Sequence, residues 1–229
     1  MDKIKVIVFG NGEMASANYG YLSQDSPFEV AAFTADRAYI KETKLYGLPV
    51  VPFEDIKSLY PPDEYKMSVL ISYRKLNRVR AEKYRQAKQK GYQLINYISS
   101  KASTFPGLNI GDNCFIWENA SIGPFTTIGN NVFIGPGSVI GHHSIIKDHC
   151  FVSPHAVLLG STTIEPYCLI GANSTIRDGG IVIARECIIG AGTLISKNTR
   201  EKEVYTGNPA KLAKRKSDQL SAWLTWGMK

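Results

Sequence analysis

The sequence predicts a small α/β domain followed by a parallel β-helix, and two observations lead to this fold class. An aliphatic residue recurs at every sixth position through the C-terminal half of the chain. Before it, apolar strand-like runs alternate with polar helical stretches, which is typical of α/β domains. We therefore place an α/β domain at residues 1–100, a β-helix at 101–210 and a short C-terminal helix at 211–229.

The six-residue repeat defines the coils. It fits neither the 3.6-residue period of a helix nor the alternation of a long strand, so each hexamer is interpreted as a short strand plus a turn. Three hexamers make one triangular coil, in which the aliphatic anchor points inward and stacks on its equivalent eighteen residues later. Fifteen anchors predict about five coils, with one extra residue near Gly179-Gly180. The anchors are Ile110, Ile116, Ile122, Ile128, Ile134, Ile140, Ile146, Val152, Leu158, Ile164, Ile170, Ile176, Ile183, Ile189 and Ile195.

The four cysteines follow the same repeat. Cys114, Cys150, Cys168 and Cys187 each lie four residues after an anchor, where other hexamers carry Ala, Ser or Thr. We interpret them as small buried residues rather than as disulfide partners, nucleophiles or metal ligands.

Composition narrows the class of protein. No apolar run approaches the roughly 20 residues needed to cross a bilayer, and the first residues lack the apolar region of a signal peptide, so we expect a cytoplasmic protein without a membrane partner. The net charge of +7 lies largely in two helical-looking stretches, residues 74–90 and 210–216. Because such runs are usually solvated helix faces, nucleic acid is not expected, whereas anionic small molecules suit a basic surface.

The N-terminal domain begins with a phosphate-binding pattern. Residues 3–9 read as a buried strand, and Gly10, Asn11 and Gly12 form a glycine turn before a helix. Such a turn allows close approach of a phosphate, and Asp36, at the end of the second strand, is placed to meet a ribose or base. A tight turn without a ligand is the alternative. The domain is too short for a full dinucleotide-binding fold, so NAD is not expected.

All four histidines lie between His142 and His155. We interpret this cluster as the active site, because histidine is a general base near neutral pH. His143, His149 and His155 are six residues apart, so they lie on three successive faces of a coil and one chain does not gather them.

The run IGDNCFIWENASIGPFTTIGNNVFIGPGSVIG resembles the hexapeptide-repeat acyltransferases, and the resemblance extends over residues 108–211. It implies a left-handed β-helix and a homotrimer. With an α/β (Rossmann-like) domain in front, the chain resembles bacterial amino-sugar N-acetyltransferases and sialic acid O-acetyltransferases. The resemblance implies acetyl-CoA as acyl donor and a nucleotide-linked amino sugar as acceptor, in lipopolysaccharide or other surface-glycan biosynthesis.

The resemblance also implies roles for individual residues. His142, two places after its anchor, corresponds to the general base, and His143 stands where relatives carry Glu or Asp. Phe151 stands where a second histidine is common, so His155 or His149 is a substitute near the substrates.

The remaining implied positions bind the two substrates. Gly10, Asn11, Gly12, Asp36 and Arg37 correspond to residues that hold the nucleotide. Backbone groups of Ala172 and Gly190 correspond to contacts with the pantetheine arm. The ending VYTGNPAK looks like the family's last coil, with Lys211 near the coenzyme A phosphates.

Three alternatives stay open. A sugar O-acetyltransferase keeps the fold but modifies a hydroxyl group. A metal-dependent hydratase would resemble β-helical carbonic anhydrases, which use three histidines, two of them five residues apart. No pair here has that spacing, so no metal is expected. The third alternative is a catalytically silent trimeric scaffold.

Overall fold

The computed structural model describes residues 3–221, which form two compact units. Within the described residues, the first comprises the chain up to Ser72 together with Glu82–Tyr97, and the second comprises Tyr73–Ala81 and the chain from Ile98 onward. The sequence placed Tyr73–Ala81 in the first domain, but this segment packs with the coils.

The first unit contains a five-stranded sheet with the order β3-β4-β2-β1-β5. All neighbouring strands are parallel except β3 and β4, which form a hairpin. The strands are β1 (Ile4–Phe9), β2 (Phe28–Ala35), β3 (Lys44–Leu45), β4 (Leu48–Pro52) and β5 (Lys66–Val69). The helices are α1 (Glu13–Gln24), α2 (Ile56–Leu59) and the part of α3 (Arg78–Gln89) from Glu82 onward, with a 3-10 turn at Arg37–Tyr39.

Strand β1 is an inner strand of the sheet, and its apolar run is buried. Val6, Ile7 and Val8 are fully buried. Strands β2 and β5 flank it, so the strand order reverses at β1. In open α/β sheets, ligands bind beyond the carboxyl ends of the strands at such a reversal. The Gly10 turn follows β1 and therefore lies at this point.

Two apolar runs of the sequence that favour strands are not simple strands in the structure. The run over residues 69–73 favours a strand, but β5 is Lys66–Val69 and ends where this run begins. The run over residues 92–98 favours one continuous strand, whereas it makes a single bridge from Leu94 to Met67 and a short β6 (Tyr97–Ile98). Within the described part of the chain, every helix is too short or too polar to span a bilayer.

The second unit contains fifteen two-residue strands, each ending on one of the predicted anchors. They form three parallel faces. Face 1 consists of β7 (Asn109–Ile110), β10 (Thr127–Ile128), β13 (Ile145–Ile146), β16 (Thr163–Ile164) and β19 (Val182–Ile183); face 2 contains β8 (Phe115–Ile116), β11 (Phe133–Ile134), β14 (Phe151–Val152), β17 (Leu169–Ile170) and β20 (Ile188–Ile189); face 3 consists of β9 (Ser121–Ile122), β12 (Val139–Ile140), β15 (Val157–Leu158), β18 (Thr175–Ile176) and β21 (Leu194–Ile195).

The register of the faces confirms the predicted coil. Ile128 pairs with Ile146 and Ile146 with Ile164, so equivalent residues are eighteen apart. Ile164 pairs with Ile183 instead, which confirms the extra residue near Gly179-Gly180. These in-register parallel strands fit a left-handed parallel β-helix.

The core of the coils is a stack of anchors lined by small residues. The anchors from Ile116 to Ile195 are all buried, and apolar burial of this kind is the main stabilising contribution. The four cysteines are free and buried among them, as predicted. The Cys114 Sγ donates to the Gly129 carbonyl at 3.0 Å, so the thiol replaces a hydroxyl as donor.

The end of the chain differs from the expected C-terminal helix over residues 211–229. After the last coil, β22 (Val204–Thr206) adds to face 2, and Lys211–Leu212 forms β23 antiparallel to it. The helix α4 begins only at Ser217 and extends to Ser221, and the predicted helical residues 222–229 lie outside the described part. Lys211 and Leu212 are therefore strand residues, because the hairpin gives the edge strand β22 a backbone partner.

Candidate functional site

The three corners of the coil hold residues in the left-handed conformation. His143, His149 and His155 occupy equivalent turn positions, with φ of 57°, 62° and 57°. Histidine tolerates this conformation better than β-branched residues do. The three side chains lie at three successive corners, so one chain does not gather them, as the spacing indicated.

His149 belongs to a ladder of stacked side chains at the corner between faces 1 and 2. Asn113 Nδ2 donates to Asn131 Oδ1 at 2.8 Å, and Asn131 Nδ2 donates to His149 Nδ1 at 2.9 Å. The His149 ring packs on Tyr167, with centroids 4.8 Å apart. His149 is buried and its Nδ1 accepts a hydrogen bond, so its ring is part of the packing of this corner.

His142 and His143 form a pair at the exposed corner between faces 3 and 1. Their Nδ1 atoms are 3.0 Å apart, and their rings are nearly perpendicular. One Nδ1 must carry a proton and donate the hydrogen bond, and the other Nδ1 must accept that hydrogen bond. When His142 donates and His143 accepts, Nε2 of His142 is left as an unprotonated base. The Phe125 ring, 4.8 Å from that of His143, covers the other side of the pair.

Two glycines make space for two of the histidine rings. A Cβ atom at Gly160 would come within 2.6 Å of Cε1 and 2.7 Å of Nε2 of His142, so the imidazole lies directly against the Gly160 backbone. A Cβ at Gly137 would come within 2.5 Å of the His155 ring. Each glycine lies eighteen residues from its histidine, in the neighbouring coil, and sequence reasoning missed both.

His155, Ala172 and Gly190 lie along the corner between faces 2 and 3, on successive coils. Gly190 N–H donates to the Tyr205 carbonyl at 2.8 Å, which places it beside β22. Lys211 pairs with Thr206 of the same hairpin and is exposed. The predicted coenzyme positions are thus gathered at one end of this corner, one face away from the His142 and His143 pair.

The predicted nucleotide-binding residues meet at the carboxyl edge of the first unit. Gly10 has φ of +122°, and a Cβ there would lie 3.0 Å from Ala15 Cβ and 3.1 Å from Ile71 Cγ2, so only glycine fits. Asn11 Nδ2 donates to the Tyr39 carbonyl at 2.8 Å, and Gly12 precedes α1. Backbone N–H groups at the start of α1 suit a phosphate.

Asp36 and Arg37 have ion-pair partners that the sequence did not indicate. Lys83 Nζ lies 2.6 Å from Asp36 Oδ1, and Arg37 Nη2 lies 2.6 Å from Asp55 Oδ2. The Arg37 backbone N–H also donates to the Glu54 carboxylate. The Asp36 carboxylate and the Lys83 ammonium group thus lie side by side at this edge. The first accepts hydrogen bonds and the second donates them, so the edge suits a ligand with both donors and acceptors.

Among residues 3–221, no group of three or more His, Cys, Asp or Glu side chains is arranged to hold a metal ion. His143, His149 and His155 lie at different corners, as described above.

Comparison with known proteins places the repeat in a defined class. The model of the bacterial transferase hexapeptide matches residues 107–142 and 143–178, and that of the hexapeptide repeat of succinyl-transferase matches residues 161–197. These matches confirm the predicted hexapeptide repeats. A comparison with curated protein sequences finds no significant match.

Solved structures share the fold along almost the whole chain. A variant of perosamine N-acetyltransferase from Caulobacter crescentus, with CoA and GDP-perosamine, is 22% identical and has a TM-score of 0.82, over 92% of this chain and 97% of that one. The acetyltransferase domain of PglB from Neisseria gonorrhoeae is 22% identical, with a TM-score of 0.80 over 92% and 100%. WeeI from Acinetobacter baumannii is 22% identical, with a TM-score of 0.74 over 91% and 99%.

The fold and the repeat together define the class of protein. The chain carries hexapeptide repeats of the bacterial transferase type. Its fold over both units is that of perosamine N-acetyltransferase and the PglB acetyltransferase domain.

We predict that the four thiols do not react in the folded protein. Burial raises the pKa of Cys114 to about 12 and also raises the pKa of Cys168 and Cys187. An unfolded thiol has a pKa near 9.0. The thiolate of Cys114 is therefore about a thousandfold rarer in the folded chain, and the stability that the neutral thiol contributes is lost only as the pH rises from about 9 toward about 12.

The measurement is the rate of modification by an aromatic disulfide reagent near pH 8, with and without denaturant. All four cysteines should react at once after unfolding. A variant with Ser196→Cys is the control, because Ser196 is exposed and its replacement should react without denaturant. Fast modification of the native wild-type chain would contradict the prediction.

Proposed function

We propose that the protein is an acetyl-CoA-dependent acyltransferase that N-acetylates an amino group of a nucleotide-linked amino sugar. The observation that carries this proposal is the fold match over 92% of this chain to a perosamine N-acetyltransferase crystallised with CoA and GDP-perosamine. The histidine pair at an exposed coil corner supplies a base suited to the reaction. The proposed setting is bacterial surface-glycan biosynthesis, such as that of lipopolysaccharide, in the cytoplasm.

The proposed chemistry is direct attack of the sugar amine on the thioester carbonyl. The C–N bond forms, the C–S bond breaks, and the amine proton passes to Nε2 of His142. The proton then returns to the departing thiolate, so the second product is a free thiol. The His142 ring is oriented by its Nδ1 hydrogen bond to His143 and by contact with Gly160.

The backbone N–H of Gly160 is the proposed donor to the developing oxyanion. Gly160 lies against the imidazole, so a substrate carbonyl near Nε2 would also be near this backbone group. Donors fixed in place before the reaction stabilise an oxyanion without reorganisation.

The identity of residue 143 favours an amine acceptor over a hydroxyl. His143 is a neutral acceptor, and it fixes the His142 tautomer without the electrostatic support of a carboxylate. An amine is partly unprotonated near neutral pH and needs less help from a base than a hydroxyl does. We therefore place O-acetylation second.

For the acceptor, we propose that the first unit is a Rossmann-like nucleotide site. Gly10, Asn11 and Gly12 would hold the phosphates at the start of α1, and Asp36 and Arg37 would contact the ribose or base. The support is that all five lie at one carboxyl edge, where the strand order reverses. The Asp36 contact with Lys83 makes this edge both donor and acceptor.

For the donor, we propose the corner between faces 2 and 3. The backbones of Ala172 and Gly190 would contact the pantetheine arm, and exposed Lys211 would meet coenzyme A phosphates. His155 lies one coil before Ala172 on the same corner and would contact substrate near the thioester. Phe151 stands where a second histidine is common in the family that the sequence resembles, and it is buried on face 2. His155 would replace that histidine.

We propose a homotrimer with active sites between chains. The donor corner and the His142 corner are separated by face 3, so one chain does not bring them together. Exposed apolar side chains surround the histidine pair: Phe125 is 77% exposed, and Val139, Ile145 and Leu159 are also exposed. A second copy of the chain would cover this patch and bring its own donor corner to His142.

The proposal is tested by mixing the protein with acetyl-CoA and a panel of nucleotide-linked amino sugars and measuring free thiol. A product that survives mild base is an amide, whereas an ester is hydrolysed and would favour O-acetylation. Absence of coenzyme A binding by calorimetry would favour the silent scaffold instead. A stoichiometric metal in the pure protein would favour the hydratase.

We predict that His142→Ala lowers kcat by about a hundredfold to ten-thousandfold, because the amine loses its proton acceptor. Thiol release at saturating substrate measures it. The matched control is His149→Asn, which reproduces the ladder residue already present at Asn113 and Asn131 and should leave kcat unchanged. Unchanged turnover in His142→Ala would remove His142 from the mechanism.

We predict that His143→Glu increases the rate and moves the acid limb of the pH–rate profile to higher pH by about one unit. A carboxylate stabilises the protonated form of a neighbouring imidazole and makes it a stronger base. His143→Asn is the comparison, since an amide accepts the hydrogen bond without charge and should give a profile close to the wild type. Identical profiles for all three would contradict the positioning role of residue 143.

We predict that Phe125→Lys converts a trimer to single chains. A charge at the most exposed apolar position of the patch would be buried without a partner in the assembly. Light scattering after size-exclusion chromatography measures the mass. Phe105→Lys is the control, because Phe105 is also exposed but precedes the coil strands. A wild-type mass of one chain would contradict the assembly.

A further inference from the structure

The carboxyl edge of the first unit holds an ion pair close to the glycine turn. Asp36 follows β2, and Lys83 lies on the part of α3 that belongs to this unit. Lys83 Nζ lies 2.6 Å from Asp36 Oδ1. The Gly10 N–H donates to the Thr34 carbonyl at 2.7 Å, so the turn after β1 begins next to the end of β2. The ion pair therefore lies at the edge where the strand order reverses.

Two aromatic rings fix the Lys83 ammonium group at this edge. Nζ lies 5.7 Å from the centre of the Phe9 ring and 5.6 Å from that of Phe53. The two rings are buried and meet edge to face, with centres 4.9 Å apart. A cation is attracted to aromatic rings, most strongly where little water competes. The ammonium group is therefore held in place before a ligand binds, which lowers the cost of binding one.

Each member of the pair keeps one hydrogen-bonding position for a ligand. An ammonium group has three N–H donors. Lys83 Nζ uses one on Asp36 Oδ1 and one on Gln86 Oε1 at 3.0 Å, and the described chain supplies no acceptor for the third. Asp36 Oδ2 likewise accepts from no group of residues 3–221. The Lys83 and Asp36 side chains are 12% and 26% exposed, so both are open to solvent at this edge.

The opposite charges of the pair decide which ligand chemistry fits it. A phosphate would meet the Asp36 carboxylate as well as the Lys83 ammonium group, and two like charges in contact are unfavourable. A vicinal diol has no charge, and each of its hydroxyls both donates and accepts. One hydroxyl would donate to Asp36 Oδ2 while its neighbour accepts from Lys83 Nζ. Ribose carries such a diol in its 2′- and 3′-hydroxyls.

We propose that Asp36 and Lys83 together bind the ribose diol of the acceptor nucleotide, and that Lys83 is a specificity residue for ribonucleotides over deoxyribonucleotides. This assignment rests on the proposed function and gives Asp36 the ribose rather than the base. An aspartate without a cation would accept from both hydroxyls, but Lys83 already occupies Oδ1. Each hydroxyl therefore has its own charged partner, and removal of either leaves that partner without its hydrogen bond.

The first test measures the binding of nucleoside diphosphates to the full-length protein by calorimetry. UDP, GDP, CDP and ADP are compared, and the tightest binder is then compared with its own 2′-deoxy and 3′-deoxy forms. We expect each deoxy form to bind about tenfold to a hundredfold more weakly, because each loses a hydrogen bond to a charged group. Equal Kd values for the ribose and deoxy forms would overturn this assignment alone. Binding of none of the four would overturn the nucleotide site and this assignment with it.

A variant separates Lys83 from Asp36. Lys83→Met keeps an apolar side chain against Phe9 and Phe53 but removes the ammonium group. The loss for one deoxy form should fall to within about twofold, because its hydroxyl has no donor left, while the loss for the other form stays. Lys90→Met is the matched control, since Lys90 Nζ also lies over the Phe53 ring, at 5.0 Å, and it should keep both losses. Two undiminished losses in Lys83→Met would show that Asp36 alone binds the diol and would overturn the role of Lys83.

Steady-state kinetics distinguish this role from a purely structural one. In Lys83→Met, the KM for the nucleotide-linked amino sugar should rise about tenfold, because the lost contact is to a part of the acceptor that does not react. The kcat and the KM for acetyl-CoA should keep their wild-type values. An unchanged KM for the acceptor, or a loss confined to kcat, would overturn the assignment.

Discussion

The structure depends on the in-register stacking of parallel strands in the coils. Because each strand pairs with the one eighteen residues away, every residue lies directly beside its equivalent in the next coil. A column of side chains must therefore share one environment: aliphatic inside, small beside the turn, and left-handed at the corner. The one extra residue before Ile181 is absorbed in a turn, so the register beyond it is kept.

The same constraint decides what each histidine can do. His143, His149 and His155 share one backbone conformation but have different column neighbours. Asn131 and Tyr167 enclose His149 and make it part of the packing. Residues without side chains leave room elsewhere, so the rings of His142 and His155 lie in the spaces beside Gly160 and Gly137. Chemistry at a coil corner thus depends on the residue one coil away as much as on the histidine itself.

The histidine pair has consequences for the proposed reaction. When His143 accepts a hydrogen bond from Nδ1 of His142, it fixes the tautomer of His142 as a carboxylate would. Unlike a carboxylate, it contributes no negative charge. The base is then suited to an acceptor that holds its proton weakly. The exposure of this pair and of Phe125 is the reason for proposing that a neighbouring chain completes the surroundings of the base.

Local pattern was sufficient for the coils because their interactions are periodic. The anchors, the inserted residue, the buried cysteines and the separation of the histidines all follow from the spacing of residues in the sequence. The pattern was insufficient at residues 69–73 and 211–212. In the first case, apolar character continued beyond the end of the strand. In the second, Lys211 and Leu212 pair with the edge strand β22, and a helix-like pattern of basic residues does not show that this edge needs a partner.

The sequence by itself determined the repeat, the number of coils, the inward-facing residues and the candidate base His142. Only the tertiary structure decided that His149 is enclosed in a ladder, that Gly160 receives the His142 ring and that Asp36 lies beside Lys83. It also decided that Arg80 is buried and donates to the carbonyls of Asn131 and Cys150, with no carboxylate partner among residues 3–221. The physical reason is that a repeat specifies which column a side chain enters, whereas hydrogen-bond partners and burial depend on what the other elements of the chain place against that column.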